Sequence, residues 1–146
     1  KVVLKDIRRN VEVQPLDVGA GISQVIPVIV GALERKISML MVEQPELHIH
    51  PKLQVELAEL MLEASVEYDK NFLLETHSEH LVLRMLRKIK NKEVDPSQVV
   101  IYYIDTVGSE TKVRKIRINN DGTFLDRWPK GGFFPERAKE LLDALR

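Results

Sequence analysis

Hydrophobic and polar positions along the chain follow two different spacings. Short apolar runs predict β-strands at residues 2–4, 11–13, 38–42, 71–75 and 99–104. An alternating run predicts an exposed strand at 112–118, followed by a turn at 119–122. Apolar residues at helical spacing predict helices at 24–35, 52–68, 78–90 and 135–145. Because strands and helices alternate, we predict an α/β fold with three layers and a largely parallel central sheet.

The composition is that of an ordinary globular protein. The chain has 146 residues, of which 44% are hydrophobic and 30% charged, enough for one domain with a sizeable core. Lys and Arg total 22, as do Asp and Glu, so net charge does not favour a nucleic-acid or membrane partner. The absence of cysteine excludes disulfides and thiolate metal sites, and it is compatible with a reducing cytosol.

The ends of the chain add a further expectation. There is no signal peptide and no apolar stretch long enough to cross a bilayer, so we predict a cytoplasmic protein without a membrane partner. The first strand-like residues follow Lys1 directly, without an initiator methionine. We therefore expect this chain to be a piece of a longer protein.

The first candidate site is a glycine-rich loop at residues 17–24, which contains Gly19, Gly21, Ser23 and Gln24. Its glycines would let the backbone approach a ligand closely. Ser23 is predicted to cap the helix that follows, and the free amides of a helix start suit a phosphate. Taken alone, these residues are better explained as a tight strand-to-helix turn.

The second candidate site follows the strand at 38–42, where Glu43 and Glu46 flank a glutamine and a proline. A carboxylate at the carboxyl end of a buried strand can bind Mg²⁺, directly or through water. The competing interpretation is a salt-bridged surface acid. Five of the six residues from 37 to 42 are apolar, which favours a buried approach and hence the functional interpretation.

The third candidate is His77, which comes just after the strand at 71–75. Its imidazole could contact a terminal phosphate or steer a water molecule, although a single histidine at a strand end is usually structural. A rival hypothesis uses all four histidines, His48, His50, His77 and His80, with the acids around them as a hydrolase metal centre. In that hypothesis His48 and His50 have strand spacing and face one way.

Three motifs in this order resemble the second half of an ABC-type ATPase domain, of the kind found in prokaryotic AAA-family ATPases related to the OLD group. They are residues 17–27 (DVGAGISQVIP), 42–51 (VEQPELHIHP) and 75–78 (ETHS). Residues 120–137 (NDGTFLDRWPKGGFFPER) resemble a C-terminal module of unknown function in one branch of these proteins. The resemblance divides the chain into an ATPase core, 1–118, and a tail module, 119–146.

The resemblance implies a role for each motif. Gly19, Gly21, Ser23 and Gln24 correspond to the signature loop, which would contact the γ-phosphate of an ATP held by the other subunit of a homodimer. Glu43 matches the Walker B acid that positions Mg²⁺, and Gln44 stands where many relatives carry the catalytic glutamate. Residues 47–51 match the D-loop at the dimer interface. His77 matches the switch histidine.

The chain departs from the family pattern at two places. No G-x-x-x-x-G-K-[ST] motif occurs, so these residues alone cannot bind ATP in the family's manner, and an N-terminal ATPase half is expected elsewhere. Gln44 is neutral and cannot act as a general base, although it could orient water, and Glu46 is a candidate substitute. We therefore expect slow ATP turnover, suited to a switch.

The sequence leaves the partners of this chain open. A basic cluster near the end of the third predicted helix consists of Arg84, Arg87, Lys88, Lys90 and Lys92. It either complements the helix dipole or faces DNA, as relatives in phage defence and DNA maintenance would suggest. An effector protein is a second expected partner. The chain could also be a non-catalytic interaction scaffold. Without the other ATPase half, we expect exposed apolar surface and self-association.

Overall fold

A computed structural model describes residues 3–129, and this part of the chain divides into two compact units between Leu81 and Val82. The closing helix predicted at 135–145 lies outside the described residues, as do Phe133 and Phe134, which together with Trp128 are predicted to pack that helix against the rest of the chain. Within the described part of the chain, no helix combines the length and the apolar character needed to cross a membrane.

The first unit alternates short strands with helices. Strands β1 (Leu4–Asp6) and β2 (Val11–Val13) form an antiparallel hairpin. Its elements then follow as α1 (Ala20–Leu33), β3 (Met39–Glu43), α2 (Pro51–Glu67) and β4 (Asn71–Glu75). Helix α3 (Glu79–Lys90) begins at the end of this unit. Every predicted element from 24 to 90 is present within a few residues of its expected place.

Strands β3 and β4 pair in parallel, in a register that runs from Met39 opposite Asn71 to Glu43 opposite Glu75. Helix α2 connects them, as parallel neighbours require. Alternate side chains of the pair, including Phe72 and Leu74, pack with α1 against a core of Ile49, Leu57 and Met61. This packing covers one face of the β3–β4 pair.

The opposite face of β3 and β4 is uncovered in the described chain. Met39, Met41 and Leu73 on this face are 52%, 68% and 54% exposed. Parallel strands are usually buried on both faces, because crossover helices lie on each side. The expected exposed apolar surface is therefore present, while self-association stays a prediction.

The predicted central sheet is found only as its β3–β4 part. Among residues 3–129 the named strands form three two-stranded sheets, of which only β3–β4 is parallel. Strand β5 (Ile101–Val107) pairs with β6 (Glu110–Ile116) as an antiparallel hairpin. A tight turn with Gly108 at φ 65° brings these neighbouring segments together, since glycine adopts positive φ at little cost. The α/β class is confirmed at this coarser level.

The second unit carries the rest of α3, the β5–β6 hairpin and the start of the predicted tail module. The predicted turn at 119–122 is present, with Gly122 at φ 76° and its N–H donating to the carbonyl of Asn119. Trp128 packs edge-on against Tyr103, with ring centroids 5.7 Å apart, and against Phe124 at 5.0 Å. Trp128 is thus a partly buried member of an aromatic cluster within this unit.

An exposed ion pair fastens the segment after β6. The carboxylate of Asp126 accepts from the backbone N–H of Arg117 at 2.8 Å and from its guanidinium at 2.7 Å. These contacts lower the pKa of Asp126 to about 2, with the Arg117 side-chain hydrogen bond as the main cause. The guanidinium of Arg117 has its pKa raised by the same partner.

We expect this pair to respond to acid in one direction. Because the folded pKa of Asp126 is lowered, the contribution of the pair is complete above the unfolded value of about 3.9 and is lost as pH falls towards about 2. A carbon-detected NMR titration of the carboxyl groups should show it. In Arg117→Ala the midpoint of Asp126 should return towards its ordinary value, and an unchanged midpoint would contradict the assigned cause.

Candidate functional site

The parallel register brings the ends of β3 and β4 together. Glu43 and Glu75 are the last residues of their strands and are direct neighbours in the register. Both side chains are exposed on the same face, because register partners in a parallel pair share a face. Like charges side by side repel each other, so this edge favours a cation.

The backbone changes direction immediately after Glu43. Gln44 has φ 47°, a left-handed conformation that costs a residue other than glycine about 1–2 kcal/mol. Its N–H donates to the carbonyl of Glu75 at 2.7 Å and extends the strand pairing by one step. Such uncommon backbone conformations are frequent at functional sites. The turn places Gln44 beside the two strand ends.

Glu46 connects this turn to the segment after β4. Its Oε1 accepts a hydrogen bond from the backbone N–H of His77 at 2.7 Å. Its Oε2 is shielded from solvent and has no hydrogen-bond partner among residues 3–129. A general base must reach the proton that it removes, whereas one oxygen here is engaged and the other is shielded. The base role stays a prediction, but the structure gives Glu46 a different contact.

Two residues that the sequence did not single out extend this connection. Gln54, in the first turns of α2, donates to the carbonyls of Glu46 at 3.4 Å and Ile49 at 3.1 Å. The hydroxyl of Ser78 donates to Oε1 of Gln54 at 2.7 Å and accepts from the N–H of Leu81 at 3.2 Å. A glutamine near a helix start gives no pattern by itself, so only the folded chain shows this role.

The glycine-rich loop differs from its prediction. Helix α1 begins at Ala20 with Gly19 as its N-cap, so the prediction that Ser23 caps the helix is wrong. Ser23 lies inside the helix, where its hydroxyl donates to the carbonyl of Pro15 at 2.5 Å. That carbonyl belongs to a short 3-10 helix, Pro15–Asp17, which packs beside the helix start. Helix α1 thus begins three residues before Ser23, whose hydroxyl contacts this earlier turn.

The two glycines of this loop have different environments. Gly19 is exposed, and a Cβ there would meet no atom within 4 Å. Gly21 is buried, and a Cβ there would collide with the backbone carbonyl of His48. Gly21 therefore packs the start of α1 against the loop after β3 and is not open to a ligand. Gln24 is exposed on α1.

We expect Gly21→Ala to destabilise the fold by about 2 kcal/mol, because overpacking against main chain exceeds the gain in helix propensity of about 1 kcal/mol. Gly19→Ala is the matched control, with an expected change within about 0.5 kcal/mol, because that position is open. Urea unfolding followed by circular dichroism measures both. Equal stabilities of the two variants would contradict the assigned packing role.

The rival histidine metal centre is not assembled. His48 and His50 lie in a turn and not on a strand; His48 has φ 62°, and His50 is the N-cap of α2, where its Nδ1 accepts from the N–H of Lys52. The strand interpretation is wrong because residues 44–49 form hydrogen-bonded turns, in which the Leu47 N–H donates to the Gln44 carbonyl and the Ile49 N–H to the Glu46 carbonyl. In the described range 3–129, no three His, Asp or Glu side chains converge to hold a metal.

The structure thus brings some of the predicted site residues together and leaves the others apart. Glu43, Gln44, Glu46 and His77 meet at the carboxyl edge of β3 and β4. Gly21 touches the same region through His48, while Gly19, Ser23 and Gln24 lie around the start of α1. The exposed carboxylates of Glu43 and Glu75 provide hard oxygen ligands that fit Mg²⁺, which takes one or two carboxylates when phosphates complete its shell.

Comparison with known families identifies the first part of the chain as an ATPase domain. The family model described as AAA ATPase domain matches residues 2–82, more than half of the chain. A second model, described as a protein of unknown function (DUF3696), matches residues 94–143. No curated protein and no solved structure matches the chain. The chain belongs to the AAA ATPase domain family, whose members use a nucleotide and usually Mg²⁺.

Proposed function

We propose that this chain forms part of an ATP-binding and ATP-hydrolysing head domain that acts as a nucleotide-driven dimerisation switch. The observation that carries the proposal is the convergence of Glu43 and His77 at one strand edge, tied by the bond between Glu46 and the His77 amide. A Walker B acid and a γ-phosphate sensor must lie together in this way. Glu43 is held by its main-chain pairing with Glu75, and the backbone of His77 is held by the Glu46 carboxylate, so both positions are restrained.

In this proposal each residue of the edge has its own task. Glu43, assisted by Glu75, would hold Mg²⁺, which neutralises phosphate charge when it is bound with ATP. His77 is exposed and can donate a hydrogen bond to a terminal phosphate. Gln44 can orient a water molecule but cannot remove its proton, since an amide has no basic site. Slow turnover follows, as a switch requires.

The remaining parts of the nucleotide site would come from outside these residues. The chain has no phosphate-binding G-x-x-x-x-G-K-[ST] loop, so another segment must provide it. The exposed apolar face of Met39, Met41 and Leu73 supports further sheet and helix packing here, as in a three-layer ATPase domain. The division of the chain at residue 118 stays a prediction.

The start of α1 would serve the second nucleotide of a homodimer. Gly19 and Gln24 are exposed around this helix start, where backbone amides and the helix dipole favour a phosphate. Ser23 would join them after its hydroxyl, which donates to the Pro15 carbonyl, turns to donate to the phosphate instead. If neither subunit binds the γ-phosphate alone, ATP stabilises the dimer by linkage. The ABC-type and OLD-like features belong to this proposal.

The wider setting of the switch is also proposed. A cytoplasmic role in DNA maintenance or phage defence, with nucleic acid or an effector protein as partner, follows from the family resemblance alone. The basic cluster near the end of α3 gives it limited support. Lys88 in that cluster pairs with Glu93 at 2.6 Å, and the last turn of α3 carries Arg87, Lys88 and Lys90.

Sedimentation of the complete protein with and without Mg-ATP tests the proposal. We expect Mg-ATP to shift the protein from monomer to dimer, and ADP to reverse the shift. Gln24→Ala should weaken the shift, whereas Gln98→Ala, at an exposed position that belongs neither to the glycine-rich loop nor to α1, should leave it unchanged. No effect of Mg-ATP on mass would favour a non-catalytic scaffold. Rapid hydrolysis that survives removal of both Gln44 and Glu46 would contradict the slow switch.

A further inference from the structure

We propose that Glu46 and Gln54 are positioning residues for His77, and that Glu46 does not act as a general base. This inference rests on the proposed ATPase function. It states which residues hold His77, the proposed γ-phosphate sensor, in place. Glu46 lies in the loop after β3, Gln54 lies on α2, and His77 follows β4. Their hydrogen bonds join three separate segments at one edge of the sheet.

The first step of the connection is the bond from the His77 backbone N–H to Oε1 of Glu46, at 2.7 Å. A hydrogen bond to a charged acceptor is stronger than a neutral one. It holds the main chain at His77, while the imidazole itself stays exposed. Glu46 therefore fixes the backbone of His77, from which the imidazole extends, and this hydrogen bond does not use the imidazole nitrogens.

The second step fixes Glu46 itself. Gln54 donates to the carbonyls of Glu46 and Ile49, so the loop that carries the carboxylate is held to α2. Ile49 is 7% exposed and packs in the core, so its side chain anchors this loop to the core. The position of Glu46 is thus determined by packing as well as by hydrogen bonds.

The third step reaches the other side of His77. The hydroxyl of Ser78, itself 7% exposed, donates to Oε1 of Gln54 at 2.7 Å. The N–H of Ser78 donates to the hydroxyl of Thr76 at 2.9 Å. His77 is therefore an exposed residue between two restrained neighbours. Through its bond with Ser78, Gln54 restrains the segment that contains His77. Through its bond with the Glu46 carbonyl, it also restrains the residue that accepts from the His77 amide.

Two substitutions at one position separate positioning from base catalysis. Gln keeps an amide oxygen that can accept from the His77 N–H, whereas Ala removes the acceptor. Positioning predicts that Glu46→Gln keeps ATP turnover within about threefold, while Glu46→Ala lowers kcat about tenfold with little change in KM, as loss of one charge-assisted bond would. A general base predicts a loss of about 100-fold or more for Glu46→Gln as well.

The experiment uses the complete protein with Mg-ATP and records kcat, KM and backbone hydrogen exchange. We expect exchange at the His77 amide to quicken about tenfold in Glu46→Ala and to quicken also in Gln54→Met, but not in Glu46→Gln. Glu63→Gln is the matched control, because Glu63 is an exposed carboxylate on α2. His77→Ala gives the reference loss of kcat.

The outcomes separate the two proposals. Equal loss of kcat in Glu46→Gln and Glu46→Ala, or unchanged exchange at His77 in Glu46→Ala, would overturn the positioning role. Circular dichroism must show that each variant is folded, and Glu46→Gln keeps the test decisive if Glu46→Ala does not fold. A wild-type protein without ATP turnover would overturn the proposed function, and exchange alone would then decide the positioning role.

Discussion

Replacing Glu43 by Gln in the complete protein should lower ATP turnover by about 100-fold or more, the usual effect of removing one preorganised electrostatic group. Glu43 ends β3 beside Glu75, and an amide cannot supply the negative charge that holds Mg²⁺. Its side chain is exposed at the strand end, so the substitution disturbs no core packing. The change in stability should stay within about 0.5 kcal/mol.

Steady-state phosphate release, measured over a range of Mg²⁺ concentrations, tests this effect. Glu12→Gln is the control, because Glu12 is an exposed carboxylate on β2. Glu75→Gln should raise the Mg²⁺ concentration needed for half-maximal turnover without removing turnover, since it supports Glu43. Turnover of Glu43→Gln within twofold of wild type would exclude a metal-binding role for Glu43.

The second large effect is expected at Lys70, a buried cation that closes the end of α1. Its side chain is 1% exposed, and its Nζ donates to the carbonyls of Gly31 at 2.7 Å, Ala32 at 2.6 Å and Glu34 at 2.9 Å. The last carbonyls of a helix have no partner within the helix, and a cation there also complements the helix dipole. Lys70 precedes β4 directly, so these bonds join α1 to the strand that leads to His77.

We expect Lys70→Met to destabilise the protein by about 3 kcal/mol. Removing the ammonium relieves its own desolvation, but main-chain carbonyls stay buried without a donor, at a cost of about 1–3 kcal/mol each. Several carbonyls lose their donor, whereas only one ammonium is relieved of desolvation. We therefore expect the cost of the unpaired carbonyls to exceed the gain. A change of this size corresponds to about 5–10 °C in the unfolding midpoint.

Thermal unfolding followed by circular dichroism measures the effect of Lys70→Met. Lys52→Met is the matched control, because the side chain of Lys52 is exposed on α2 and makes an i,i+4 contact with Glu56 at 3.8 Å, which contributes little. Its midpoint should change by less than about 2 °C. Equal midpoints for the two variants would show that the bonds of Lys70 contribute little.

Local elements can be predicted from the sequence with little error. The apolar pattern predicts α2 at 52–68, and the helix lies at Pro51–Glu67; it predicts β4 at 71–75, and the strand lies at Asn71–Glu75. These segments have a strong hydrophobic period, so their own residues decide their structure. The predicted start of α1 is wrong because Ser23 is a good capping residue only in isolation. Its hydroxyl bonds to Pro15 instead, and spacing cannot show such a contact.

The sequence likewise predicts one part of the candidate site and not the other. Glu43 and His77 can be found because each follows an apolar strand, and parallel strands bring their carboxyl ends to one edge. The contact of Glu46 with the His77 amide joins residues 31 positions apart, and the link through Gln54 and Ser78 depends on the packing of α2. Hydrogen bonds between distant segments leave no periodic trace in a sequence.

The sequence alone determined the order of the elements, the acid and the imidazole at two strand ends, and the missing phosphate loop, because periodicity and motif chemistry are local properties. Tertiary structure decided the remainder. It paired β5 with β6 as an antiparallel hairpin, buried Gly21 against His48, and turned Glu46 towards the backbone of His77. Each of these depends on which surfaces meet when the chain folds, and the residues of a single segment do not specify that.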